Sequence, residues 1–112
     1  MSDVSRWILL GCEGTEQGFH TLQNLDGSIC ALGTAALGFL REGGREEDIN
    51  GAFDDPNFRD QIYMRVIPNI PDYDHPMTLS DLLVVLNDIH GLPREVIADK
   101  VANVTDLKGN RL

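Results

Sequence analysis

The run Asp26-Gly27-Ser28-Ile29-Cys30-Ala31-Leu32-Gly33-Thr34-Ala35-Ala36-Leu37-Gly38 constrains this chain more than any other stretch. Asn24-Leu25-Asp26-Gly27 signals a tight turn, because glycine reaches the positive φ that such turns demand. Ser28 can then cap a helix spanning about 29–42, which Gly43-Gly44 ends. The interior of that helix is nearly all Ala and Gly, at positions 31, 33, 35, 36 and 38. Each helical Gly costs about 0.5–1 kcal/mol relative to Ala, so two of them predict a neighbour packed too close for side chains. Leu32, Ala36, Phe39 and Leu40 form the larger apolar stripe, which makes this the expected central helix.

The other elements follow from local pattern. A short helix is expected over 3–12, with Trp7 and Leu10 one turn apart, and 13–17 reads as a connection. Residues 18–23 alternate as a short strand on which 28–30 can pair back, giving one small β-hairpin beside the Cys30 helix. Residues 45–55 form an acidic loop with room for a helical turn. Pro56 then opens a helix over 57–66, faced by Phe58, Ile62 and Arg65/Val66 and ended by Pro68. The stretch 68–76 holds three of the five prolines and reads as a stiff surface loop. A helix from Thr78 or Leu79 to Ile89 is apolar nearly all round and is expected to be mostly buried, with Asp81 and Asp88 on one side. Gly91 ends it, Pro93 opens a last helix to about Val104 with Ile97, Val101 and Val104 inward, and 105–112 is expected as a loose tail. The sum is one α+β domain over 1–112, mainly helical, with four to five helices and one hairpin.

Charge narrows the partners. Eighteen acidic residues stand against nine basic ones, a net charge of −9, which disfavours nucleic acid and anionic membrane and favours a basic protein surface. Between Glu42 and Asp60 lie seven acids against Arg45 and Arg59, and from Val66 to Pro93 there is no Lys or Arg. The candidate docking residues are Glu46, Glu47, Asp48, Asp54, Asp55, Asp72 and Asp74; the competing reading is a solvated acidic surface. No stretch approaches the ~18 apolar residues of a membrane span. Leu9-Leu10-Gly11-Cys12 resembles a lipoprotein cleavage box, yet the apolar run from Trp7 to Leu10 is far shorter than the ~7–15 residues of a signal peptide, and Asp3 stands where a basic leader belongs. Cys12 and Cys30 make neither a zinc spacing nor a CxxC pair, so reduced thiols in a cytoplasmic protein are expected.

The blocks Gln17-Gly18, Asp26-Gly27, Cys30-Ala31-Leu32-Gly33 and Asn87-Asp88 together resemble a family of small uncharacterised proteins from actinobacteria and their phages. In that family the pattern runs Trp-x-Gln-Gly, an Asp-Gly turn, Cys-Ala-Leu-Gly-Ala, then Trp-Asn-Asp before a final helix. Here Thr15 and Leu86 stand at the two Trp positions, so the chain would be a divergent member. The resemblance spans most of 17–104 and implies a small, mainly helical fold without a settled activity. Seven Arg against two Lys fits a GC-rich genome.

Chemistry has one leading candidate. Cys30 in the first turn of a helix would meet unpaired N–H groups that favour a thiolate. His20, His75 or His90 could serve as its base, with Asp88 or Asn87 orienting the ring. Against this, Cys beside Ala31, Leu32 and Gly33 is the right size for a tight core, and that packing role is preferred. Asn87-Asp88-Ile89-His90 could form an acid/base or metal pair, but such a cluster at a helix end more often makes local capping bonds. Pro71-Asp72-Tyr73-Asp74-His75-Pro76 lacks the glycine and distal Glu of a calcium loop. Gly11, Gly14 and Gly18 make no phosphate loop. Trp7, Phe53, Phe58, Tyr63 and Tyr73 read as core and rim residues. No cofactor or metal is expected. The favoured function is a non-enzymatic acidic interaction domain, for example an inhibitor of a basic nucleic-acid-binding host protein, with homo-oligomers allowed. The alternative is a small cysteine hydrolase or transferase using Cys30 with a histidine.

Overall fold

The glycines that predict close packing do meet backbone. A computed structural model describes residues 3–19, 22–67 and 75–103. In it α1 (Asp3–Cys12) lies against α2 (Ala31–Glu42). A Cβ on Gly38 would stand 1.7 Å from the Trp7 carbonyl oxygen, and one on Gly11 would stand 2.0 Å from that of Thr34. Gly11 opposite Thr34 and Trp7 opposite Gly38 make the pair antiparallel, with the two backbones touching. The low side-chain volume of α2 is therefore what lets α1 in, and the propensity cost of its glycines is offset by that contact.

Beyond α2 the chain closes with Gly44 at φ +65°, the Arg45 N–H bonding to the Leu40 carbonyl at 2.9 Å and the Gly44 N–H to that of Arg41 at 3.1 Å. This is a Schellman ending. Two short helices follow, α3 (Ile49–Phe53) and α4 (Pro56–Ile62). Each has an Asp cap: Asp48 accepts from the Asn50 N–H at 3.1 Å, and Asp55 from the Asn57 N–H at 2.8 Å. Pro56 sits in the first turn of α4, as its fixed φ predicts. That helix stops at Ile62, four residues short of the expected end. Val66–Ile67 is instead strand β1, paired antiparallel with β2 (Met77–Thr78) in the register Val66 to Thr78 and Ile67 to Met77. Two β-branched residues facing a partner strand take the extended form that a helical pattern cannot reveal.

Helix α5 (Leu79–Val84), capped by Thr78 on the Asp81 N–H, widens into a π-helical segment over Val85–Ile89. Gly91 at φ +62° ends it, and α6 (Arg94–Ala102) follows Pro93. The fold is α+β: six α-helices and one two-stranded hairpin among the described residues. The core joins Val4, Trp7 and Ile8 of α1 to Leu32, Ala36 and Leu40 of α2, and to Phe58, Ile62, Leu79, Leu83, Ile97 and Val101. Phe58 is fully buried and packs 5.6 Å from Trp7, 5.3 Å from Phe39 and 5.3 Å from Phe53 between ring centroids.

Three expectations are corrected here. The paired strands are 66–67 and 77–78; around 18–30, among the described residues, single bridges join Ile29 to Gln17 and to Gln23 in place of paired strands. The turn at Gly27 (φ +88°) is tight enough that Ser28 serves it, bonding Asp26 through N–H and hydroxyl at 2.9 and 2.7 Å, and does not cap α2. The segment 79–89 is not buried all round: Val84 and Ile89 are 37% and 70% exposed, because the π widening turns Asn87 inward in place of an apolar residue. Val104 and the tail lie outside the described residues, as does most of the proline-rich loop.

Candidate functional site

Gln17, Gly18, Ala31 and Asn87 converge on one point. Asn87, fully buried in the π segment, accepts through Oδ1 from the Ala31 N–H at 3.0 Å and from the Gln17 amide at 2.9 Å. Its amide nitrogen donates to the Gly18 carbonyl at 2.9 Å and to the Asp88 carboxylate at 2.7 Å. Gln17 also donates to the Leu92 carbonyl at 2.6 Å. All four hydrogen-bonding positions of the Asn87 amide are thus used. Apart from the bond to the adjacent Asp88, these are not the local caps expected from the sequence but ties between segments some 56 to 70 residues apart.

A second buried group adjoins α2. Arg94, 5% exposed, donates to the Thr15 hydroxyl at 2.8 Å, the Thr15 carbonyl at 2.6 Å and the Thr34 hydroxyl at 3.1 Å. Thr34 in turn donates to the Cys30 carbonyl at 2.8 Å, and Thr15 to that of Gly11 at 2.6 Å. Arg94 makes no ion pair within 4 Å among the described residues. Its role was not legible from sequence, where a charged first residue of a helix reads as solvated.

Cys30 is the residue preceding α2, not one within its first turn, and is 4% exposed. Burial pushes its thiol up, outweighing the opposing pull of the Gly33 and Leu32 N–H groups. The helix terminus does act on the sulfur as expected, but desolvation is the larger effect. Cys12 at the end of α1 is half-buried, and burial raises its thiol too, against the field of Arg94. His90 and His75 are exposed, and His20 lies outside the described residues. Among the described residues no group of three or more His, Cys, Asp and Glu is placed to hold a metal ion, and no helix is long and apolar enough to cross a membrane.

The acidic residues divide into two sets. Glu47 pairs with Arg41, Asp55 pairs with Arg45 at 2.8 Å while capping α4, and Asp48 caps α3. These three expected docking residues therefore have structural work, so reversing Glu47 or Asp48 would disturb the fold as well as the surface. Glu46 and Asp54 are exposed, and Asp60, not singled out from sequence, joins them on α4. Asp72 and Asp74 lie outside the described residues, with Tyr73. Asp54 and Asp60 border a cleft of about 370 Å³ with Pro56, Arg59, Tyr63 and Met64. Comparison with known proteins found no family model, no curated protein and no solved structure that matches this chain.

Proposed function

We propose that this chain is a cytoplasmic, non-enzymatic interaction domain that docks a basic protein surface on the face carrying α3 and α4. A concrete form is an inhibitor, of actinobacterial or phage origin, that covers the basic surface of a nucleic-acid-binding protein. The observation that carries this reading is how the opposite charges are disposed. Arg6, Arg41 and Arg45 are ion-paired, Arg59 lies over Tyr63 and Arg94 is buried, while Glu46, Asp54 and Asp60 stay exposed. Internal pairing of the cations leaves the face with a negative field, which steers a basic partner and rejects nucleic acid. The thiol reading of Cys30 has no comparable support, since its sulfur is buried and disfavours the thiolate.

The test is affinity capture from an actinobacterial lysate with the wild type and with Glu46→Lys/Asp54→Lys/Asp60→Lys, at about 50 and 300 mM salt. A basic protein captured in stoichiometric amount, lost on reversal and weakened by salt, is the expected result. Capture that ignores both the reversals and the salt would overturn the reading.

A further inference from the structure

Asn50-Gly51 is the one Asn-Gly pair in the chain, and it lies in α3 with Asn50 exposed. That sets Asn50 apart from the other asparagines. A side-chain amide is an electrophile that the next residue's backbone nitrogen can reach in a five-membered ring, and a following Gly has no Cβ to obstruct the approach. Space around Gly51 is open: among the described residues outside α3, only Nη2 of Arg45 comes within 4 Å of where a Cβ would stand, at 3.8 Å. That guanidinium is a cation beside the nitrogen that must give up its proton to attack, and a cation favours the amide anion.

What restrains the reaction is the backbone. The Asn50 N–H donates to the Asp48 carboxylate at 3.1 Å and the Gly51 N–H to the Asp48 carbonyl at 2.9 Å, so one residue holds both members of the pair. A helical ψ of about −42° keeps the Gly51 nitrogen away from the Asn50 Cγ, and closing the ring requires rotating it to the side of Cβ. The restraint is slight, because α3 is five residues long and Ala52 is its one buried residue. We infer that Asn50 is a site of covalent modification, deamidated by attack of the Gly51 nitrogen, and that the Asp48 cap of α3 sets the rate. The Gly51 nitrogen bonds Cγ, the Cγ–Nδ2 bond breaks, and ammonia leaves with the Gly51 proton. Water then opens the cyclic imide, at Cγ to give aspartate or at the backbone carbonyl to give isoaspartate. One water is consumed and one ammonia released, with no oxidant or cofactor. Either product adds a negative charge, and isoaspartate also inserts a methylene into the main chain, across which α3 cannot re-form. The Asp26-Gly27 turn is the contrast: its carboxylate is held ionised by the Ser28 N–H and hydroxyl, and a carboxylate is a poor electrophile.

The experiment incubates the full-length protein at neutral pH, in buffer and in urea, and follows each asparagine by peptide mapping, with isoaspartate scored by enzymatic methylation. In buffer, modification of Asn50 should outpace that of Asn24, Asn57 and Asn103, yet run about tenfold or more slower than in urea, where α3 is open. Asp48→Ala should speed it about fivefold, the worth of a helix cap expressed as an opening equilibrium, while Asp48→Ser, which keeps a capping oxygen, should stay near the wild-type rate. Gly51→Ala should nearly abolish it in both solvents. Equal rates in buffer and urea, or a wild-type rate in Asp48→Ala, would overturn the control by the cap. Modification of Asn50 no faster than of Asn57, or undiminished in Gly51→Ala, would overturn the site itself. Circular dichroism checks that Asp48→Ala stays folded; if it does not, the ratio of wild-type rates in the two solvents and the Gly51→Ala variant decide. The reaction needs no partner, so its outcome is independent of the docking reading.

Discussion

The side chain of Asn87 accepts the backbone N–H of Ala31 at 3.0 Å, so the first turn of the central helix is capped by a residue 56 positions later in the chain. Helix starts are ordinarily capped by the side chain of the preceding residue, and that of Cys30 has no oxygen to offer and makes no capping bond. The π segment provides the substitute by carrying Asn87 into the core, where it also holds Gln17 and Gly18. Segments 17–18, 30–31 and 87–92 are thereby locked together before any function is considered.

Removing that lock should be costly. Asn87→Ala leaves the Ala31 N–H, the Gly18 carbonyl and the Gln17 amide short of partners, at about 1–3 kcal/mol for each buried group left unmet. A loss of about 3 kcal/mol is expected in urea unfolding. A change below about 0.5 kcal/mol would mean that the three segments hold without it.

The helix contact makes a contrast between two glycines. Gly38→Ala places a methyl 1.7 Å from the Trp7 carbonyl and must push α1 away, so a loss above about 2 kcal/mol is expected. Gly43→Ala, at φ −83°, meets the flexible Arg45 side chain at 3.4 Å and the Leu40 carbonyl at 3.7 Å, an ordinary contact, and should be neutral or stabilising by up to about 1 kcal/mol. Thermal unfolding of the two variants reads the difference directly; equal effects would place the helices further apart than described.

Thiol reactivity separates packing from catalysis. Burial raises both thiols, so thiolate forms only above the usual cysteine range, and at pH 7 alkylation should be slower than for a free thiol. Half-buried Cys12 should react first, and Cys30 only on unfolding. Mass spectrometry of iodoacetamide adducts against time checks this; fast modification of native Cys30 would revive the hydrolase reading.

Acid should weaken the α1–α2 end contact. Glu42 is held below the ordinary carboxylate range by hydrogen bonds from Arg6 and, secondarily, from Trp7. A lowered folded value means that its contribution is present above the usual Glu range and lost as pH falls through the lowered value. The pair is solvent-exposed, so Glu42→Gln should cost only about 0.5 kcal/mol at pH 7. That gap should close toward pH 2 and shrink in 0.5 M salt. A gap independent of pH would assign Glu42 a packing role instead.

Helix positions were legible wherever a local signal exists. Gly33 and Gly38 announced a close neighbour, Pro56 a helix start, Gly91 a helix end, and the Asp26-Gly27 pair a turn. The strand at Val66–Ile67 was not legible, because two residues carry no period and their pairing partners stand ten and twelve residues on. The acidic face was legible as a count of charges. Its division into caps, ion pairs and free carboxylates was not, since Asp48 and Asp55 differ from Asp54 only in where the neighbouring N–H groups and arginines point.

By itself the sequence determined where most of the helices begin and that α2 would have a bare face, since these depend on side-chain volume and φ at neighbouring residues. Tertiary structure alone decided what fills that face and what caps the start of α2. Asn87 and Arg94 look like surface polar residues until contacts with Ala31, Thr15 and Thr34 supply the hydrogen bonds that make their burial affordable. The same long-range contacts decided the state of Cys30: the helix terminus draws its sulfur toward thiolate, and the packing of the whole domain removes the water that thiolate needs.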